Sequence, residues 1–491
     1  MKTTEAAARQ HGDSGKRRFF GHPWPLATLF GMEVWERFSF YGMQAILLIY
    51  LYYEASRGGL AIDQSVAIGI VGAYGSSVYL ATILGGWFAD RVFGAERTLF
   101  YSGIVVMLGH IALAILPGVY GVTAGLILVA LGSGGVKATC SALVGSLYEP
   151  GSPRRDAGFS IFYLGINIGG FVGPLLTGLL QQNAGFHYGF GIAAVGMAIG
   201  LAQYTAGRKG LPDDQKAAPD PIAPATLKRY LGIALVVLAL VVGAALAGWI
   251  RADNLSGVML GIIAVAALCY FAVILRSTHV SPEERSRVLA FIPLFLTSAA
   301  YWALYSQSYT VITAFFDQRV DRSLFGWEIP VGWLVSVQAL TIILFSGGFA
   351  WLWTTLGKRQ PSSAGKFVIA MAIIGATFLG YLPFLGSEGA SMPLAMLVLL
   401  LLGFTASELC LSPIGLSVTT KLAPRAFQTQ MMALFFLSLA LGFAAGGKLG
   451  AFYTEDTEVG YFIAMAAIGG VSALLLAACL PFIRRAMRGA D

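Results

Sequence analysis

The chain has 491 residues, 57% of them hydrophobic and 12% charged, with a mean hydropathy of +0.73. A soluble protein of this length carries roughly a quarter charged residues, so the composition excludes an ordinary soluble domain and points to a multi-span membrane protein. The net charge of +7 resides in short loops between apolar runs, not in a patch interleaved with aromatics, which argues for membrane topology and against nucleic acid.

Crossing ~30 Å of hydrocarbon takes about 20 apolar residues. Fourteen such spans are expected, over 26–53, 65–90, 98–116, 121–147, 158–180, 186–205, 231–250, 255–275, 288–316, 326–356, 367–385, 392–422, 426–449 and 460–483. Lys16, Arg17 and Arg18 precede a first span too long for a cleavable signal, so no signal peptide is expected. Alternate connections carry Arg91/Arg97, Arg154/Arg155, Arg208/Lys209/Lys216/Lys228/Arg229, Arg276/Arg285/Arg287, Lys358/Arg359/Lys366 and Lys421/Arg425. The tail adds Arg484, Arg485 and Arg488, and the loop with Arg319 and Arg322 is the main exception. The positive-inside rule then puts both termini in the cytoplasm of a multi-pass protein of the plasma (inner) membrane.

Two six-helix units emerge. A tail (1–25) leads into six spans (26–206), and a Pro- and charge-rich linker (207–230) follows. A pair of spans (231–275), six more (276–483) and a short tail (484–491) complete the chain. "LGIALVVLALVVGAALAGWI" in the inserted pair has nothing with which to bind a solute, so the pair is expected at the periphery, facing lipid. The fold class is all-α, and six plus six spans with two inserted helices match the major facilitator architecture, whose site lies between its halves. "GGWFADRVFGAER", with Gly86, Asp90 and Arg91, resembles the loop motif of that superfamily.

A charge at a helix centre costs about 2.5–3.5 kcal/mol to insert, so it faces a bundle interior or a watery cavity. In "GMEVWERFSFYGMQ", at ~100° per residue, Glu33, Glu36, Arg37, Tyr41 and Gln44 fall within one sector of roughly 140°. Two acids and one base leave a surplus carboxylate, a natural proton site. Lys137 and Glu408 each lie ~24 Å along the fourth helix of their half, so a two-fold relation sets them at matching depth. They are expected to pair when the inner side closes. Cys140, Cys269, Cys410 and Cys479 lie in apolar segments without metal-ligand spacing and read as packing residues. No metal or other cofactor is expected, and no nucleophile–base pair or phosphate loop points to an enzyme. "GSGG" from Gly132 reads as helix packing, and the five scattered histidines are assigned no role.

Glu33-x-x-Glu36-Arg37-Phe38, Lys137 in its Gly-rich span, "FSIFYLGINIGGFVGPLLTG" around Asn167, "VDRSLFGWEIP" and "SELCLSPIGLSVTTKLAP" around Glu408 occur in this order along nearly the whole chain. Together they resemble the proton-dependent oligopeptide transporter family, bacterial type. The resemblance implies proton-coupled import of di- and tripeptides by alternating access, without a cofactor, by a protein expected to be a monomer. It implies proton coupling by Glu33, Glu36, Arg37 and Glu408. Arg37 and Lys137 would face the peptide carboxylate, and Asn167 and Glu408 its amino terminus. Tyr41, Tyr79, Trp302 and Ser412 would line side-chain pockets. The alternative is a same-fold carrier of another solute, such as a peptidomimetic drug, an amino-acid conjugate or nitrate.

Several positions depart from the family pattern. Phe40-Tyr41 replaces a double tyrosine, and Gln338-Ala339 stands where many members have Asn-Pro beside the peptide amino terminus. Gln44 stands in place of Arg and Ser306 in place of an acid, both ~27 Å from the inner start of their helices. These two are expected to meet near the outer mouth and to form a gate of weaker polar contacts.

Overall fold

A computed structural model describes residues 18–149, 152–386 and 392–487. Lys16, Arg17 and Arg488, with the rest of 1–17 and 488–491, lie outside the described residues. The helices are, in chain order, α1 (Pro25–Tyr52), α2 (Gln64–Phe88), α3 (Ala95–Ile115), α4 (Gly118–Ser146), α5 (Pro153–Ala184), α6 (Phe186–Gly207), α7 (Pro224–Leu246) and α8 (Leu255–Arg276). There follow α9 (Pro282–Tyr305), α10 (Val311–Arg319), α11 (Trp333–Leu356), α12 (Ser363–Leu379), α13 (Leu394–Leu422), α14 (Gln428–Gly450) and α15 (Glu458–Met487).

Among the described residues, thirteen helical segments are long and apolar enough to cross a membrane, α9 and α10 counting as one. The fourteenth span is α1, whose Glu33, Glu36 and Arg37 dilute its apolar character and whose sides are buried against its neighbours.

The span 288–316, expected to be continuous, is interrupted. A 3-10 turn at Ser306–Tyr309 separates α9 from α10, and Thr310 leaves the helical region at φ −126°, ψ −96°. Hydroxyls drive this break: Ser306, Ser308, Thr310 and Thr313 each bond a carbonyl three to five residues earlier, in competition with the helix ladder.

Helices α1 to α6 pack into one bundle and α9 to α15 into a second. The bundles meet chiefly where α2 lies on α14 and α5 on α11. No water drives helices together within a membrane, so close packing must hold them. A Cβ on Gly72 of α2 would stand 2.4 Å from Gly447 Cα of α14, so both must lack one.

The inserted pair differs from the expectation of a wholly lipid-facing hairpin. Helix α7 exposes apolar side chains on every side, as lipid contact demands. Helix α8 buries Ser256, Ile263, Ala267, Phe271 and Ile274 and packs on α2, α9 and α14. It therefore lies along the seam between the bundles. The two spans looked alike because composition alone carries no information about contact.

The linker is also attached. Asp220 pairs with Arg91 at 2.6 Å, and its backbone N–H donates to Asp90 at 3.1 Å. Arg208 bonds Glu96 of α3 at 2.5 and 3.0 Å.

Candidate functional site

A cavity of about 350 Å³ lies between the bundles. The first bundle contributes Glu33, Arg37, Tyr41 and Gln44 of α1, Tyr79 of α2, Lys137 of α4 and Asn167 of α5. The second contributes Trp302 of α9, Gln338 of α11, and Glu408 and Ser412 of α13. Stepping by four residues keeps 33, 37 and 41 on one stripe of α1, which explains why those three share the wall.

Arg37 donates through Nε to Glu33 Oε1 at 2.7 Å and stands 3.4 Å from Glu36 Oε2. Glu36 does not line the cavity. It sits at the edge of the charged sector of α1 and faces inward to α3 and α4, with neither oxygen hydrogen-bonded. Of the two settings open to a membrane charge, Glu36 takes the bundle interior, and the cavity takes only part of the sector.

Lys137 reaches the cavity over the Phe40 ring, 4.4 Å from its centroid, a cation–π contact. Opposite, Glu408 accepts a hydrogen bond from the Tyr305 hydroxyl, which itself accepts from Gln338 Nε2 at 2.9 Å. Asn167 donates to the Tyr163 carbonyl at 2.9 Å. Ser412 lies one turn beyond Glu408 on the same wall. Among the described residues no ion pair joins Lys137 to Glu408. They face one another across open space, with Lys137 and the Arg37–Glu33 pair on one wall and Glu408 on the other.

Tyr163, Tyr305 and Tyr309 also line the cavity and were missed in the sequence. A signal existed for two of them. Tyr163 is four residues before Asn167, and Tyr305 three after Trp302, so each shares a helical stripe with a recognised neighbour.

The two ends of the cavity differ. At the end remote from the chain termini, Asp317 accepts from the hydroxyls of Tyr52 (2.6 Å) and Tyr53 (2.8 Å) at the close of α1. Arg322 holds the same carboxylate at 3.2 Å and Glu328 at 2.6 Å. Gln318 bonds Gln64 at 2.8 Å, Trp333 Nε1 the Leu175 carbonyl at 3.1 Å, and Ser336 the Phe171 carbonyl at 2.8 Å. These bonds tie bundle to bundle and shut this end. Arg319 is likewise held by Glu458 at 3.3 Å, so both arginines that broke the charge pattern of the loops are neutralised locally.

Gln44 and Ser306 do not form the expected contact. Among the described residues no hydrogen bond joins them: Ser306 donates to the Ala303 carbonyl at 3.0 Å and lies against Gly446, while Gln44 lines the cavity. The Ser306 hydroxyl is instead taken up on the α14 side, against Gly446. The closing contacts stand about two turns further out, at Asp317.

The POT family model matches residues 96–468. The chain is 41% identical over 485 residues to the uncharacterized transporter YclF of Bacillus subtilis, covering 96% of this chain and 97% of that one. It is 40% identical over 486 residues to a di-/tripeptide transporter of Lactococcus lactis subsp. cremoris, with 95% and 97% covered. A crystal structure of the peptide transporter POT, as a Glu-to-Gln mutant in complex with alafosfalin, superimposes with a TM-score of 0.91 at 43% identity over the whole of both chains. With this fold, a cavity of this polarity and a match along nearly its full length, the chain is a member of the POT family of transporters.

Proposed function

We propose that this protein is a proton-coupled symporter that imports di- and tripeptides by alternating access, with both termini in the cytoplasm and the monomer as the working unit in the plasma (inner) membrane. One observation carries the reading: Arg37 and Lys137 face Glu408 across a single cavity. A short peptide is a zwitterion, so cations opposite an anion recognise its two ends whatever its side chains. Glu408, steadied by Tyr305, suits the ammonium end, with Asn167 and Gln338 nearby as polar partners. Tyr41, Tyr79, Trp302 and Ser412 supply walls for the side chains. The surplus carboxylate of Glu33, Glu36 and Arg37 gives the proton a place to ride. The shut far end and the open space between Lys137 and Glu408 support an inward-facing state, the stage at which peptide and proton leave.

The test is uptake by purified protein in liposomes. With an imposed inward proton gradient it should accumulate labelled dialanine, and excess unlabelled dipeptide should compete. Accumulation that ignores the gradient would make it a uniporter. Absence of uptake of any short peptide would favour a carrier of another solute on the same fold.

A further inference from the structure

His110 lies on α3, fully buried, and among the described residues neither ring nitrogen has a hydrogen-bond partner. Ser133 of α4 is equally buried, and its Oγ is unpartnered. Both face Glu36, whose two carboxylate oxygens also lack hydrogen bonds. The Tyr74 hydroxyl of α2 completes the group, buried and unpartnered. Buried polar atoms in folded proteins are nearly always hydrogen-bonded, and exceptions gathered in one place call for a functional explanation. Four side chains from four helices converge here, behind the wall of the cavity.

We propose that Glu36, Ser133 and His110 form a proton site with two seats inside the first bundle, sealed from the peptide path. It deepens the proton-coupled reading above and rests on it. A proton arriving at Glu36 makes a neutral acid beside a neutral imidazole. Transfer breaks the O–H bond of Glu36 and forms an N–H bond on His110, leaving carboxylate and imidazolium, with the Ser133 hydroxyl placed to accept from one partner while donating to the other. The Ser133 O–H proton passes to His110 as the Glu36 proton replaces it, so the hydroxyl is unchanged at the end and the net charge of the site is the same in both arrangements.

The two seats act differently on the cavity. With the proton on His110, Glu36 is anionic and holds Arg37, which stands 3.4 Å away. With the proton on Glu36, that hold is lost and Arg37 is free for Glu33 or for a peptide carboxylate. The other ionisable groups around Glu36 are Arg37, Glu33 and Tyr41 on its own helix, Tyr74 and Tyr79 on α2, and Lys137 and Cys140 on α4. Around His110 the facing acid is Glu36. The ring is therefore positioned to answer to one carboxylate.

The experiment uses the full chain in liposomes with 15N-labelled histidine, the other four (His11, His22, His187 and His279) replaced by asparagine. The ring signals of His110 should pass between neutral and imidazolium forms as pH falls, and Glu36→Gln should displace that transition. A ring that stays neutral throughout, or titrates identically with Glu36→Gln, overturns the proposal. In transport, His110→Asn should lower gradient-driven dialanine accumulation about tenfold more than peptide counterflow. Ser133→Ala should act in the same direction with a smaller loss. Equal loss of accumulation and counterflow would mark a packing role and also overturns it. If the parent itself ignores a proton gradient, the proton-coupled reading fails, while the ring titration still decides the proton site.

Discussion

Arg37 stands between two acids and bonds one of them, with Glu33 at 2.7 Å and Glu36 at 3.4 Å. A buried surplus carboxylate is relieved by taking up a proton, and Gln keeps the shape of Glu while refusing that proton. Glu36→Gln should therefore spare peptide exchange down its own gradient and abolish gradient-driven accumulation in liposomes. Accumulation at the parent level would remove Glu36 from coupling. At the far end, Asp317 gathers two tyrosine hydroxyls and a guanidinium, and hydrogen bonds to a charged group contribute about 1.5–3 kcal/mol each. Asp317→Asn keeps one acceptor oxygen, so a net loss near 1.4 kcal/mol, or about tenfold in population toward an open far end, is expected. The measurement is labelling of a cysteine at Gln44 by an impermeant thiol reagent from that side, in a background without the four native cysteines. Unchanged labelling would show that Asp317 does not gate.

Helices α2 and α14 approach so closely at Gly72 and Gly447 that no side chain fits between them. Gly72→Val would force the bundles apart where they are meant to close, an overpacking cost of about 1–3 kcal/mol. The variant should lose several degrees of thermal midpoint in detergent and most of its transport. Gly243→Val on exposed α7, where nothing lies within 4 Å, is the matched control and should behave like the parent. If both variants behave alike, the close approach has no part in closing. At this scale the sequence was informative about the existence of helices, because apolar runs of about 20 residues have one stable form in lipid. It was less informative about interruptions. The alternation Ser306-x-Ser308-x-Thr310 marks hydroxyls able to bond their own backbone, and only the surrounding packing decides that they do so.

Across the whole molecule, alternating access requires the open end to shut when the latched end releases. Lys137 and Glu408, unpaired across the cavity here, are the charges expected to meet then. Ser141 and Ser412 each lie one turn further toward the open end, on α4 and α13. Cysteines at these two positions, with native cysteines replaced, should cross-link during turnover and arrest transport, since a disulfide needs Cα atoms within about 7 Å. Failure to cross-link under any gradient or peptide concentration would argue against that closure.

What the sequence determined alone were properties that depend on local composition and spacing. The number of spans, the six-plus-two-plus-six order, and the charged positions that lipid will not tolerate all follow from hydropathy and helical period. Arg37, Lys137 and Glu408 were legible because an ionisable residue in hydrocarbon has few places to be. Tertiary structure decided what each edge of a helix meets: Glu36 turned from the cavity toward His110, α8 set into the seam while α7 faces outward, and the far end joined at Asp317 and two tyrosines instead of Gln44 and Ser306. A helix of known period fixes angles within itself. Only its packing against other helices fixes which of those angles faces a cavity, a neighbour or lipid.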